Sequence, residues 1–382
     1  MNTKPLVQDN NKQIVFLDAL RGIAAVYVVM GHARWLLWEG YAAYLTHSAQ
    51  YSFPEKILVY TLAVTKYGHQ AVLFFFVLSG FVIHYKYSKA LNKDADSMLN
   101  IEEYFSRRIR RIYPPFFFAM ILTFILDTLG HQLGYTIYFS QTPNTLINTN
   151  VIGKHDIVTF IGNLFFFQTE HIGIWGTNGP SWSLKYEWWF YLIYPALLLF
   201  NKKSVVLGCV VVVLLYILST YVYSIYPSFF VSIFQYLLSW WLGAILADIY
   251  HKRIIISYFL LSFFTCLIPL MILFQSCIKN TSYADTIWAF GFFGLLNLFF
   301  YLQEKGVSFA WAKKIKWLGD CSYTLYITHF PILVFMNGLI LHHTNNVLPK
   351  SLIFIFIAIV ILPIYAYLLH FLTENLFIKK RV

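Results

Sequence analysis

Two side chains in the segment FLDALRGIAAVYVVMGHARW, residues 16–35, have the types and spacing for chemistry: Arg21 and His32, eleven residues apart. On an α-helix eleven steps of about 100° return to nearly the same face, with a rise of about 16 Å. The two would then line one face at two depths. A guanidinium suits an anion. A neutral imidazole can accept a proton from a hydroxyl. Each has a structural alternative: a histidine bonded to a neighbouring helix, and an arginine reaching for the membrane surface.

Three further clusters have the same character. YFSRRIRRIYPPF carries four arginines within five positions. Arg108 and Arg111 are i and i+3, on one helical face, and forked guanidiniums suit phosphates; a basic topology anchor is the alternative. GPSWSLKYEWWFYLIYP carries Glu187 among Trp182, Trp188 and Trp189. A carboxylate there needs a partner, and Lys185, Arg34 or a histidine could serve. LGDCSYTLYITHFPI carries His329 just before Phe330-Pro331; hydrogen bonding within the core is its alternative role. His69 opens GHQAVLFFFVLSGFVI, where Ser79 and Gly80 are small enough for close helix contact. No G-x-S-x-G elbow, GxGxxG or P-loop occurs. The four cysteines lie far apart without metal-like spacing, so neither disulfides nor a metal are expected.

These residues need helices in a membrane to hold them. Hydrophobic residues make up 59% of the 382 and charged residues only 12%, against about 25% charged in soluble domains. Spanning-length apolar runs recur along the chain and do not alternate, which predicts an all-α polytopic membrane protein. About ten transmembrane helices are expected, near 14–33, 70–87, 112–130, 186–200, 204–223, 228–248, 254–275, 284–302, 318–340 and 351–372. With the short tail 1–13 inside, 21 of the 28 Lys and Arg fall in inner segments and 7 in outer ones, which predicts cytoplasmic termini. The net charge of +11 then reflects topology, not nucleic-acid binding. Two outer segments are long: 34–69, with Trp35, Trp38, Tyr41, Tyr44 and Tyr51, and 131–185, with Tyr135, Tyr138, Trp175 and Trp182. These aromatics would form an interfacial belt or floor a sugar site. Within the second segment, 157–167 is apolar but too short to span. Residues 1–382 read as one membrane domain.

FLDALRGIAAVYVVMGH, FFFVLSGF, RRIRRIYP, WSLKYEWWFY and GDCSYTLYITHFP occur in this order, and with them the chain resembles the acyltransferase-3 family of bacterial membrane acyltransferases over nearly its whole length. The resemblance implies a ten-helix domain of the bacterial inner membrane. It implies transfer of an acyl group, usually acetyl, from cytoplasmic acyl-CoA to a hydroxyl of an extracytoplasmic or lipid-linked glycan such as lipopolysaccharide O-antigen, capsule or exopolysaccharide. The family's basic-x10-His signature falls on Arg21 and His32, its arginine pair on Arg108 and Arg111, its WSLxxE on Glu187 and its late histidine on His329. His32, Glu187 and His329 are thus the candidate catalytic residues. Arg21, Arg108 and Arg111 are the candidate donor-binding residues, with acyl-CoA, glycan acceptor and lipid as partners. GHQAV departs from the family's usual small residues and leaves His69 unassigned. The hydrolase-like C-terminal domain of some members is not expected here. Direct transfer and passage through an acyl-histidine both remain open, and a glycan or lipid transporter is the rival class.

The charge asymmetry makes a prediction. In a background lacking the native cysteines, single cysteines at Ser140 and Ser308 should react with an impermeant thiol reagent from opposite sides of the membrane; labelling from one side refutes the ten-span topology.

Overall fold

A computed structural model describes residues 9–94, 97–151, 153–278 and 281–378. Of the basic residues counted above, Lys4, Lys279, Lys379, Lys380 and Arg381 lie outside the described residues, as does the side chain of Lys12. The chain is all-α: among the described residues there is no strand, only an isolated bridge between Lys154 and Trp175. The described segments include nine helical stretches long and apolar enough to cross a membrane: Val15–Leu37, Phe53–Lys93, Ile101–Gln132, Val205–Ile225, Phe229–Tyr250, Tyr258–Cys277, Thr281–Glu304, Ser322–His343 and Ile353–Asn375. A further helix stands where the fourth span is expected, Trp182–Lys203. Its WSLKYEWW start makes it more polar than the nine.

The elements that carry the candidate residues are α1 (Asp9–Leu37), α2 (Gly68–Lys93), α3 (Ile101–Gln132), α4 (Trp182–Lys203), α5 (Phe229–Tyr250), α6 (Lys316–Asp320) and α7 (Ser322–His343). The long segments 34–69 and 131–185 fold further than expected. Ser52 and Glu55 form a capping box that starts a helix at Phe53, and a 3-10 turn, Ala63–Tyr67, joins it to α2. Residues 157–164 form a short helix capped by the Asp156 side chain, which accepts from the Thr159 amide. The expected ninth span is broken at Cys321 into α6 and α7.

The chain forms two compact units. One comprises residues 1–71, 107–182 and 311–382; the other comprises 72–106 and 183–310.

In the first unit, α1 crosses α6 backbone to backbone. A Cβ on Gly22 would stand 2.6 Å from Gly319 N, and one on Gly319 2.1 Å from Asp18 O, so only glycine permits this approach. Arg21 closes the crossing. Its Nε donates to Ser322 Oγ at 2.9 Å, one Nη donates to Gly319 O at 3.0 Å, and the same Nη lies 3.2 Å from Asp18 Oδ1. The buried Glu374 carboxylate accepts from the Thr324 amide and hydroxyl at 3.2 and 2.5 Å. It thereby caps the N-terminus of α7, where a negative charge is stabilising.

In the second unit, α2 packs on α5 by the same device: a Cβ on Gly80 would meet Trp240 O at 1.8 Å, and one on Gly243 would meet Val77 O at 1.9 Å. Beside this crossing lies a fully buried polar knot. His84 Nε2 is 2.9 Å from Asp248 Oδ1 and its Nδ1 is 2.8 Å from Tyr194 Oη. Asp248 also accepts from Asn201 at 2.9 Å and from Arg253 at 2.8 Å. Each group needs its partners, because lipid supplies none.

Proline makes a related demand within helices. It lacks an N–H, so the carbonyl four residues before it loses its donor. Pro195 leaves the carbonyl of Tyr191, to which Tyr104 Oη donates at 3.1 Å. Pro331 leaves that of Ile327, to which Asn178 Nδ2 donates at 2.8 Å.

The knot yields a stability prediction. Removing one partner of a buried pair costs about 3–5 kcal/mol, so His84→Ala and Asp248→Ala should each lower the melting temperature of detergent-solubilised protein markedly. Wild-type melting of both variants contradicts the assigned bonds.

Candidate active site

His32 and His329 meet inside the first unit. His32 Nδ1 lies 2.8 Å from His329 Nε2, the rings are nearly parallel at 14°, and their centroids are 5.1 Å apart. His329 is fully buried, whereas His32 is partly exposed. Phe330 makes a T-shaped contact with His32, ring centroids 5.0 Å apart, and the Trp35 ring centroid stands 6.4 Å from it.

The hydrogen bonds fix where the protons are. His329 Nδ1 is 2.8 Å from Tyr326 O and 3.1 Å from Leu325 O. Carbonyl oxygens only accept, so Nδ1 of His329 carries the proton. In the neutral ring Nε2 is then an acceptor, and the proton between the two rings belongs to Nδ1 of His32. His32 is therefore held as the Nδ1–H tautomer, with the lone pair on Nε2. That nitrogen can accept a proton, and its ring is held from behind by His329.

The other sequence-identified residues take these places. Arg21 sits at the α1–α6 crossing, engaged by Asp18, Ser322 and Gly319 as described. Arg108 and Arg111 are both half-buried on α3, while Ile109 and Arg110 between them are exposed, so the pair shares the inner-facing side of the helix. His69 stacks on Trp182, centroids 5.3 Å apart at 15°. In the second unit Glu187 Oε1 accepts from Ser79 Oγ at 2.7 Å and from Tyr191 Oη, while Trp240 Nε1 donates to Ser79 Oγ at 3.2 Å. Ser79 is thus more than a small residue at a helix contact: its hydroxyl is spent on the glutamate. Among the described residues, Ser79 and Tyr191 are the partners seen for Glu187.

Most of the aromatics singled out in segments 34–69 and 131–185 are core. Trp38, Tyr44, Tyr51, Tyr135 and Trp175 are all buried. The Trp38 indole donates to Tyr51 Oη at 3.0 Å and the Trp175 indole to Met120 O at 2.9 Å. Sequence reasoning also missed Asp127 in α3. Its buried carboxylate accepts from the Thr177 amide at 2.8 Å and hydroxyl at 2.7 Å, with His155 Nε2 at 3.1 Å. An aspartate inside an apolar run was its signal. Burial and the neighbouring His131 hold His155 below the usual histidine range. Among the described residues no group of three or more His, Cys, Asp or Glu is arranged to hold a metal ion.

A multi-span helical membrane protein with a braced histidine base is suited to proton removal from a hydroxyl during group transfer. The chain belongs to the acyltransferase-3 family: that family's acyltransferase-domain model matches residues 14–370. It is 30% identical over 167 residues to the acyltransferase MdmB of Streptomyces mycarofaciens, covering 42% of this chain and 36% of that protein. It is 26% identical over 134 residues to an uncharacterized protein of Haemophilus influenzae, covering 34% of this chain and 49% of that one. The matches thus span half or less of each relative. No solved structure matches the chain.

The tautomer assignment is directly measurable. In protein labelled with 15N-histidine, the signals lost in His32→Asn and His329→Asn should each report a neutral ring protonated on Nδ1. An Nε2–H tautomer at His32 contradicts the hydrogen-bond assignment.

Proposed function

We propose that this protein transfers an acyl group, acetyl above all, from cytoplasmic acyl-CoA to a hydroxyl of an extracytoplasmic or lipid-linked glycan. The observation that carries the proposal is the His32–His329 pair, which leaves a lone pair on His32 Nε2. Membership of an acyltransferase family supports it. The acceptor hydroxyl gives its proton to His32 Nε2 as its oxygen forms a bond to the thioester carbonyl carbon. The resulting imidazolium keeps its Nδ1–H on His329 Nε2, so the new charge is stabilised where it forms. As the tetrahedral intermediate collapses the C–S bond breaks, and His32 returns the proton to the departing thiolate.

Arg108 and Arg111 are assigned the donor's phosphates, which paired guanidiniums bind through charge-assisted hydrogen bonds. Arg21 is assigned to the donor side as well. Its fork is already shared by Asp18, Ser322 and Gly319, so it also holds the helix crossing that sets the height of His32. Glu187 is assigned to the acceptor. Ser79 and Tyr191 donate to its Oε1 and hold the carboxylate in place.

The roles separate on one preparation assayed for CoA binding and for acyl transfer. His32→Ala should keep CoA affinity and lose about 10²–10⁴-fold in turnover. Arg108→Ala and Arg111→Ala should each weaken CoA binding by roughly 1.5–3 kcal/mol, as for hydrogen bonds to charged groups, without lowering the melting temperature. Arg21→Ala should lower both. Transfer at the wild-type rate by folded His32→Ala rules out the histidine as base; wild-type CoA affinity in both α3 variants makes their arginines topology anchors.

A further inference from the structure

The turn of α7 that orients His329 is itself incomplete. Pro331 has no N–H to give the Ile327 carbonyl, and Ile327 belongs to the same turn as Leu325 and Tyr326, whose carbonyls hold His329 Nδ1. An unpaired carbonyl buried there would cost free energy comparable to a lost hydrogen bond. It is met from outside the helix: Asn178 Nδ2 donates to Ile327 O at 2.8 Å. Because a carbonyl only accepts, the amide is oriented with its nitrogen toward α7.

Asn178 is well placed to hold that orientation. It is 5% exposed. The residue before it, Thr177, is fixed by two hydrogen bonds to the buried Asp127 carboxylate. Two residues beyond it, Pro180 O accepts from Tyr326 Oη at 3.1 Å. The loop is therefore tied to α7 at Tyr326 and Ile327, beside the notch that Pro331 makes.

We infer that Asn178 is a positioning residue for acyl transfer: its amide completes the turn at Ile327, which holds His329 and through it the tautomer of His32. The inference rests on the histidine-pair mechanism proposed above. Asn178 touches neither substrate nor His32; it acts through the helix.

The proline supplies the test. In Pro331→Ala, residue 331 regains an N–H that can bond Ile327 O, so the Asn178 donor becomes redundant. The assay is transfer of labelled acetyl from acetyl-CoA to surface glycan in membranes of the producing cells, together with CoA affinity and melting temperature of the purified variants. Asn178→Ala alone should lower turnover by about 10- to 100-fold, as small misplacements of catalytic groups do, with CoA affinity unchanged and the Nδ1–H signal of His329 shifted. In the Pro331→Ala background the same change should lower turnover by no more than about twofold relative to that parent, about the resolution of such a cycle. Should Asn178→Ala alone not fold, recovery of folded, active protein in the double variant supports the inference equally. Equal losses in both backgrounds, or no loss in either, overturn it. An inactive His32→Ala beside an active Asn178→Ala sinks this inference alone, whereas an active His32→Ala sinks the mechanism beneath it.

Discussion

The hydrogen bond between His32 and His329 joins residues 297 apart in sequence and can form only if two helices are held at one height and one rotation. Much of the first unit serves that demand. Gly22 and Gly319 let α1 and α6 touch backbone to backbone. Arg21 bridges the break at Cys321, and Glu374 caps the helix that starts beyond it. From that fixed origin to His329 is only two turns of helix. The meeting of His32 and His329 is thus set by close packing two turns away.

The membrane explains why so many polar side chains are committed rather than spare. In hydrocarbon a polar group without a partner is expensive, and proline inside a helix adds carbonyls to the demand. Tyr104 at Tyr191 and Asn178 at Ile327 are the same answer given twice, in different units. Glu187 is bonded by Ser79 and Tyr191, and His84 by Asp248 and Tyr194. Against that background, the proposed base is Nε2 of the partly exposed His32, whose Nδ1 is engaged by His329.

The helical fold was legible because spanning helices leave long apolar runs, and the bilayer admits few alternatives. Arg21 and His32 were legible as a pair because helical spacing alone puts them on one face. Their partners were not. Nothing in the local pattern of YITHFPI tells that His329 reaches His32, since that depends on a crossing built by two glycines about 300 residues apart. Ser79 was read for its size and not its hydroxyl, because Glu187 lies 108 residues away. Asp127, His84 and Asp248 each stand alone in an apolar run and carried the same signal as Glu187, but without a motif around them they were passed over. The aromatic loops misled in the opposite sense: their composition fits a sugar floor, yet burial puts most of them in the core.

If His32 and His329 act as one unit, their losses cannot multiply, because once the base is gone its brace has nothing to hold. The most direct test is therefore the turnover of His32→Ala, His329→Ala and the double variant, each shown to be folded and to bind CoA. The double variant is predicted to be no slower than His32→Ala alone. A double variant slower by the product of the two single losses would mean that the histidines work independently, and would contradict the account.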